Sequence, residues 1–251
     1  MLCIGDSGTF SSGIVDAVVG KNGGHIISAA KLYSTIKDIL TKNIEDSCKF
    51  EKLTYISQTQ SKKEESEIDY YYAFEVPYSM DHKEEISDGK EETVIKKHKY
   101  PLRLIFIKSD GKKRRDIKRR EKLIKNLKDK LEDIKFKLNK VRNKKESTVN
   151  EKIIKALGND EGRYVKSRLY GDDGGLLQLE WSLDEKSYWE KEGLCDGIYA
   201  LITSLPKEGC DKSLPSSLDE IFNSYKRQTF IEMSHKTMKL PLRVRPIYLL
   251  M

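Results

Sequence analysis

Two acidic residues near opposite ends of the chain are the best candidates for chemistry. Asp6 follows a short apolar run at the amino terminus, and Glu232 lies in an apolar-periodic segment close to the carboxyl terminus. Carboxylates that converge from the end of a strand and from a helix are suited to bind Mg²⁺, with Mn²⁺ as an alternative ion, for phosphodiester chemistry. Only the fold could bring them together. The competing interpretation is an ordinary amphipathic helix with a surface glutamate.

The residues around Glu232 strengthen the first interpretation. Tyr225 lies seven residues before it and Lys239 seven residues after it, and seven residues are nearly two helical turns. The three side chains therefore share one helix face, together with Gln228. A phenol and an ammonium group beside a metal-binding carboxylate can hold the phosphates next to a scissile bond.

Asp6 sits in a pattern that predicts an α/β unit. Leu2 to Ile4 is typical of the end of a buried strand, and Ser11 or Ser12 can cap a helix after it. Glycines 20, 23 and 24 end that helix, and residues 25–30 predict a second buried strand. Two strands joined by a helix over about thirty residues favour parallel pairing.

The rest of the chain predicts strands of three kinds. Residues 68–78 and 102–107 favour an antiparallel pair around an acidic loop. Residues 164–170 and 176–181 favour a hairpin, in which Asp172 and its neighbour Asp173 form a turn rather than a metal site. Residues 193–205 contain the clearest central strand in the chain. The helix that follows takes its caps from residues 213–217.

The segment 112–145 concentrates positive charge, with 17 Lys or Arg and 5 Asp or Glu, in a chain of net charge +7. Its apolar residues repeat at steps of three and four, apart from a gap at Arg120, so it predicts a long basic helix. Two pairs of alternatives stay open. The charge indicates either a solvated face or a polyphosphate partner, and the stripe indicates either a helical hairpin or an intermolecular coiled coil.

The cysteine pattern and the hydropathy of the sequence indicate in which cellular compartment the chain works. The four cysteines form no CxxC pair and no Cys/His spacing typical of zinc. Because nothing argues for disulfides, we expect a reducing, cytoplasmic location. No apolar run approaches the length of a membrane span, so we expect no membrane partner.

The residues near the carboxyl terminus resemble those of the DDE transposases of bacterial insertion sequences, in the IS-four superfamily. That family carries a Tyr-x2-Arg-x3-Glu-x6-Lys signature, and Tyr225, Glu232 and Lys239 match its spacing. Gln228 stands at the arginine position, with Arg227 next to it. Four further segments are similar to family motifs: residues 4–8, 109–120, 195–199 and 245–248.

The resemblance implies a fold, a reaction and a set of contacts. It implies a ribonuclease-H-like α/β core, here incomplete, formed by residues 1–45 and 193–251. An α+β insertion at 46–192, with a basic arm at 112–145, would interrupt this core. It implies Mg²⁺-dependent cleavage and strand transfer at the ends of a DNA element, with Asp6 and Glu232 as catalytic metal ligands. The expected partners are double-stranded DNA and a second copy of the chain in a synaptic complex. The expected DNA contacts are Tyr225, Arg227, Gln228, Lys239, Arg243 and Arg245.

The family has three catalytic acids, and the first lies on a strand well upstream of the second. Only five residues precede Asp6 here, so we expect a truncated transposase that is inactive alone. The alternative is a non-catalytic protein that binds DNA or self-associates through the segment 112–145.

Overall fold

The computed structural model divides the chain into two compact units. The sheet unit contains Met1–Asp110 and Ile198–Met251, and the inserted unit contains Gly111–Gly197. The structure describes residues 1–8, 10–45, 49–56, 68–87, 93–158, 161–207 and 214–228. Glu232, Lys239, Arg243 and Arg245, named above as catalytic or DNA-contact candidates, lie outside these residues.

In the part of the chain that the structure describes, the sheet unit contains one six-stranded mixed sheet and three helices. Its strands lie in the order β1-β2-β8-β5-β4-β3. They are β1 (Leu2–Gly5), β2 (His25–Ala30), β3 (Glu51–Lys52), β4 (Tyr71–Ser87), β5 (Thr93–Ser109) and β8 (Ile198–Thr203). The helices are α1 (Ser12–Val15), which continues as a π-helical segment (Asp16–Lys21), α2 (Ser34–Glu45) and α6 (residues 218–228).

The predicted parallel unit at the amino terminus is confirmed. Leu2 lies opposite His25 and the register continues to Gly5 opposite Ser28, with both strands in the same direction. The helical connection begins where Ser11 Oγ accepts the N–H of Ile14, as predicted. It ends close to Gly24, where a Cβ atom would lie 3.0 Å from a backbone oxygen of Met1.

The predicted central strand is confirmed as β8, which pairs antiparallel with β2 on one side and with β5 on the other. The predicted antiparallel pair is also confirmed, but the expected acidic loop at 79–93 is wrong for residues 79–87. These residues continue β4, which pairs with β5 from Tyr71 to Ser87 and forms a long ribbon. Because β5 also joins β8, the ribbon continues the same sheet as the parallel strands.

Because of this pairing, the inserted unit begins much later in the sequence than expected. The insertion was expected at 46–192, whereas the compact inserted unit is Gly111–Gly197. Residues 49–110 belong to the sheet unit for two reasons. Strand β5 pairs with β8, and Ala73 and Ile105 are buried in the same core as Ile27.

The main core of the sheet unit is called the sheet core here. Its buried residues include Leu53 and residues of β2, β4, β5, β8 and α6. Its fully buried members include Ile27 on β2, Ile107 on β5, Leu201 on β8 and Phe222 on α6. Burial of such side chains contributes about 1.5–3 kcal/mol each. The late helix α6 is therefore attached to the sheet by its own apolar face.

The inserted unit contains helices and a hairpin with a core of their own. Its elements are α3 (Asp110–Phe136, which starts at the unit boundary), α4 (Glu146–Leu157), β6 (Val165–Gly171), β7 (Leu177–Leu183) and α5 (Glu185–Glu192). Ile134, Val149, Ile153 and Leu179 are buried together in this core. The hairpin predicted around 171–175 is confirmed by the pairing of β6 with β7.

The basic helix is shorter than the expected arm at 112–145, because α3 ends at Phe136. Asn139 adopts a left-handed backbone conformation with φ of 62°, which a continuing α-helix cannot contain. Its side-chain amide donates to the carbonyl of Leu177 at 3.0 Å and accepts the N–H of Leu177 at 2.9 Å. This two-sided attachment to β7 ends the helix and returns the chain toward α4.

Both units combine helices with strands, so the expected α/β class holds at the level of a mixed α/β protein. The sheet of the larger unit is itself mixed, with one parallel pair and four antiparallel pairs among the described strands.

Candidate functional site

Asp6 lies where the sequence predicted, in the turn directly after β1. Its side chain is exposed, and Oδ1 accepts the backbone N–H of Gly8 at 2.8 Å. The hydroxyl of Ser28 on β2 donates to the Asp6 carbonyl at 2.8 Å. The backbone at Asp6 is thus held at the carboxyl end of the parallel pair, with its carboxylate directed away from the core.

The helix that leads toward Glu232 is α6, and it begins with a capping box. Ser217 Oγ accepts the N–H of Glu220 at 3.2 Å, while Glu220 Oε2 accepts the N–H groups of Ser217 and Ser216, each at 3.0 Å. The backbone N–H of Ser217 is the main cause that lowers the pKa of Glu220 to about 2. The helix start predicted from residues 213–217 is confirmed at Ser216 and Ser217.

Three of the candidate DNA contacts lie on the described part of α6. Tyr225 is partly buried against the sheet core, Arg227 is exposed, and Gln228 is partly exposed. Leu2 and Ile4 of β1 also pack against the sheet core. The strand that ends at Asp6 and the helix that approaches Glu232 therefore share one core.

An aromatic cluster beside Tyr225 was not anticipated from the sequence. The ammonium of Lys226 lies over the rings of Tyr71, Phe222, Tyr199 and Tyr55, at 5.0, 5.2, 5.8 and 6.0 Å from their centroids. Cation–π attraction of this kind contributes about 0.5–2 kcal/mol. No spacing pattern could have shown this cluster, because its members come from four distant segments.

Burial raises the pKa of two phenols of this cluster. Desolvation is the main cause that raises the pKa of Tyr199 above its usual value, and it also raises the pKa of Tyr55. The hydroxyl of Tyr199 is buried without a hydrogen-bond partner among the described residues. The cluster therefore anchors α6 to the sheet through one cation and several uncharged rings.

A second polar network joins the π-helical segment to the β4–β5 ribbon. The Tyr100 hydroxyl donates to the buried Asp16 at 2.5 Å, and this hydrogen bond is the main cause that lowers the pKa of Asp16. Lys21 lies 3.4 Å from Asp16 and 2.8 Å from Glu84. These contacts connect the helical segment after Asp6 with the ribbon.

In the inserted unit, the gap in the apolar stripe at Arg120 has a structural explanation. Arg120 Nε lies 2.7 Å from Oδ1 of Asp196, whose side chain is only 3% exposed, and its guanidinium lies 5.8 Å from the centroid of the Tyr188 ring. An arginine at this position occupies the buried face because a buried carboxylate requires a charged partner.

The neighbouring Asp116 holds the residue that follows Asp196. Its Oδ2 accepts the backbone N–H of Gly197 at 2.9 Å and also pairs with Lys112. Burial by itself would raise the pKa of Asp116, but these hydrogen bonds hold it below its usual value. Gly197 has φ of 81°, which favours glycine. Two segments that carry the family resemblance, 109–120 and 195–199, thus contact each other.

The apolar stripe of α3 is buried within the chain. Ile124, Leu127, Leu131 and Ile134 are each at most 8% exposed. The stripe therefore has an intramolecular explanation, as expected for a helical hairpin, and it is not available for an intermolecular coiled coil.

Asp172 is a turn residue, as predicted. Its carboxylate accepts the N–H groups of Gly174 at 3.0 Å and Leu176 at 2.8 Å. More generally, no group of three or more His, Cys, Asp or Glu side chains in the described ranges is placed to hold a metal ion.

Within the described residues, no helix has both the length and the apolar character needed to cross a membrane.

Comparison with known proteins gives no relative: no family model, no curated protein and no solved structure matches this chain.

Proposed function

We propose that this chain is a transposase-type protein that acts on the phosphodiester backbone of double-stranded DNA. In this proposal the sheet unit is a divergent ribonuclease-H-like core of the IS-four superfamily type, and its substrates are the ends of a DNA element. A second copy of the chain is the expected partner in a synaptic complex.

The observation that carries this proposal is the shared core of β1 and α6. Ile4, two residues before Asp6, and Tyr225, seven residues before Glu232, both pack against the sheet core. Strand β1, which precedes Asp6, and the described part of α6, which precedes Glu232 in the sequence, therefore belong to one unit and share its core. If β1 and α6 belonged to different units, there would be no basis for a joint site of Asp6 and Glu232.

The chemistry of the donor set fits the implied ion. Asp6 and Glu232 are carboxylates, and Mg²⁺ and Mn²⁺ prefer hard oxygen ligands. When bound there, such an ion would neutralise charge on the phosphate oxygens at the scissile bond. Asp6 meets one structural requirement, because its exposed carboxylate stands at the carboxyl end of a parallel strand pair.

The other candidate residues would position DNA. Arg227 is exposed and Gln228 is partly exposed on α6, so both can reach a phosphate group. Tyr225 is partly buried, which limits its contact to the exposed edge of the phenol. Lys239, Arg243 and Arg245 complete the proposed set by their place in the sequence. Two carboxylates alone leave a two-ion site with few ligands, so we expect little or no DNA nicking by this chain without a further acid.

Mn²⁺ binding tests the proposal without DNA and without turnover. We expect the wild-type chain to bind Mn²⁺, and Asp6→Asn and Glu232→Gln each to weaken binding by about tenfold or more, because each removes a charged ligand. Titration calorimetry and the paramagnetic signal of free Mn²⁺ give the affinity. Asp173→Asn, in an exposed turn of the inserted unit, is the matched control and should not change it. Equal Mn²⁺ affinity in all four proteins would exclude the joint site.

A further inference from the structure

Helix α3 has two faces of opposite character. One face carries the buried residues Ile124, Leu127 and Leu131. Arg120 and Asp116 lie toward the same side, where they hold Asp196 and Gly197. The apolar stripe of the helix is therefore buried inside the chain, whereas Phe136 at the last position of the helix is 74% exposed.

The opposite face is a row of four cations, here called the basic face. It consists of Arg115, Lys118, Arg119 and Lys122, spaced at three- and four-residue steps that align side chains along one side of a helix. All four side chains are exposed. In the described part of the chain none of the four makes an ion pair or a hydrogen bond through its side chain.

Exposed cations that lack partners in the described structure still carry a full charge on a rigid element. Seven residues separate Arg115 from Lys122, so the row is about 10 Å long. Double-stranded DNA presents one negative charge per about 1.7 Å of its axis, hence about six phosphates along that length. A row of four cations can thus contact several phosphates without rearrangement of the helix.

The other residues of the helix indicate which polyanion fits the basic face: a membrane surface, single-stranded nucleic acid or a duplex. A helix that binds a membrane surface needs an exposed apolar face to enter the lipid, and the apolar face of α3 is buried. Proteins that bind single-stranded nucleic acid add aromatic side chains on which bases stack. The one aromatic residue of α3 is Phe136 at its last position, 14 residues after Lys122, and the ammonium of Lys140 lies over its ring. The basic face therefore suits the regular backbone of a duplex.

We propose that the basic face binds the phosphate backbone of double-stranded DNA without reading its sequence. This surface lies in the inserted unit and does not use Asp6 or Glu232. It shares only its partner, DNA, with the function proposed above. The metal-binding experiment contains no DNA, so either proposal can fail while the other stands.

The test compares two variants of the full chain that lose the same charge. The first carries Arg115→Gln, Lys118→Gln, Arg119→Gln and Lys122→Gln. The control carries Arg142→Gln, Lys144→Gln, Lys145→Gln and Lys155→Gln, which are exposed cations of the same unit outside α3. Glutamine has a helix propensity close to that of lysine and arginine, so α3 should persist, and circular dichroism checks this.

Binding is measured by fluorescence anisotropy on a duplex of arbitrary sequence over a range of salt concentrations. The slope of log K against log salt falls by about 0.9 for each phosphate contact that is lost. We expect the first variant, which loses four contacts, to reduce the slope by about 3.6 and to bind at least about tenfold more weakly at low salt. The control should change the slope by less than about 1.

Three results would overturn the proposal. An unchanged slope in the first variant would show that the basic face makes no phosphate contacts. Equal losses in both variants would show that only net charge matters. Tighter binding of double-stranded or single-stranded RNA than of DNA, with the same slope change, would assign the surface to RNA. If the first variant fails to fold, the pair Lys118→Gln and Lys122→Gln replaces it, with an expected slope change of about 2.

Discussion

The sheet unit and the inserted unit are built from contacts of different range. In the sheet unit β8 pairs with β2, so that Ile27 lies opposite Thr203, more than 170 residues away. In the inserted unit, β6 pairs with the next strand, β7. Closing a long loop costs conformational entropy before any contact forms. The sheet unit therefore depends on a strongly buried core, whereas the inserted unit can form from neighbouring elements.

Two arginines, one in each unit, make different kinds of contact. Arg120 holds Asp196 before the strand, within the inserted unit. In the sheet unit, Arg103 pairs with Glu75 and donates to the carbonyls of Leu205, Pro206 and Ser216 after the strand. Arg103 satisfies backbone groups where β8 leads to α6, and Arg120 satisfies one buried charge.

The largest effect is expected from Phe222→Ala, which tests whether the two cores are independent. Phe222 is 0% exposed in the sheet core, and truncation of a buried phenylalanine costs about 3–5 kcal/mol of unfolding free energy. Hydrogen exchange measured by mass spectrometry should show faster exchange in β2, β5 and β8, while α4, β6 and β7 remain protected. The control, Arg227→Ala, changes an exposed residue of the same helix and should cost less than about 0.5 kcal/mol. Equal loss of protection in both units would contradict independent cores.

A smaller loss is expected from Arg120→Met, which tests whether the buried charge stabilises the inserted unit. The change leaves Asp196 without its partner, and removal of one member of a buried pair costs about 3–5 kcal/mol when burial is complete. Arg120 is 20% exposed, so we expect about 2–4 kcal/mol by chemical denaturation. Lys113→Met, on an exposed position of the same helix, is the control. Adding Asp196→Asn to Arg120→Met should restore part of the loss, and failure to do so would remove the ion pair as its cause.

The smallest effect concerns the capping box of α6 and its dependence on pH. Since the pKa of Glu220 falls to about 2 in the folded chain, ionised Glu220 stabilises the fold above its unfolded pKa of about 4.5. This contribution is lost as the pH falls through about 2. Glu220→Gln should lower stability at pH 7 and flatten the stability curve between pH 4.5 and 2, measured by thermal unfolding. Glu121→Gln, exposed on α3, should leave the curve unchanged, and an unchanged curve in Glu220→Gln would exclude the capping role.

Local patterns were the part of the fold that could be predicted before the structure. Alternating and helical periodicity predicted the β4–β5 pair, the β6–β7 hairpin and helix α3, because these patterns depend on neighbours in sequence. Arg120 was only an unexplained gap, since its partner Asp196 is 76 residues away. The end of α3 at Phe136 was also missed, because it depends on the contact of Asn139 with β7.

The candidate site divides in the same way. The position of Asp6 after a parallel strand followed from the spacing of apolar residues, glycines and serines around it. The aromatic cluster around Lys226 could not be predicted from spacing, because its residues come from four distant segments. The partial burial of Tyr225 likewise results from packing that no spacing reveals.

By itself the sequence determined the parallel unit at the amino terminus, the two antiparallel strand pairs and the capped start of α6, since backbone propensity and apolar period act over a few residues. It also determined the charge of the segment from which the basic face is formed. Only the tertiary structure decided that residues 49–110 join the sheet, that Arg120 faces inward, and that Arg115 and its three neighbours remain exposed. These outcomes depend on which surfaces bury each other, and burial is a property of the whole chain rather than of any segment.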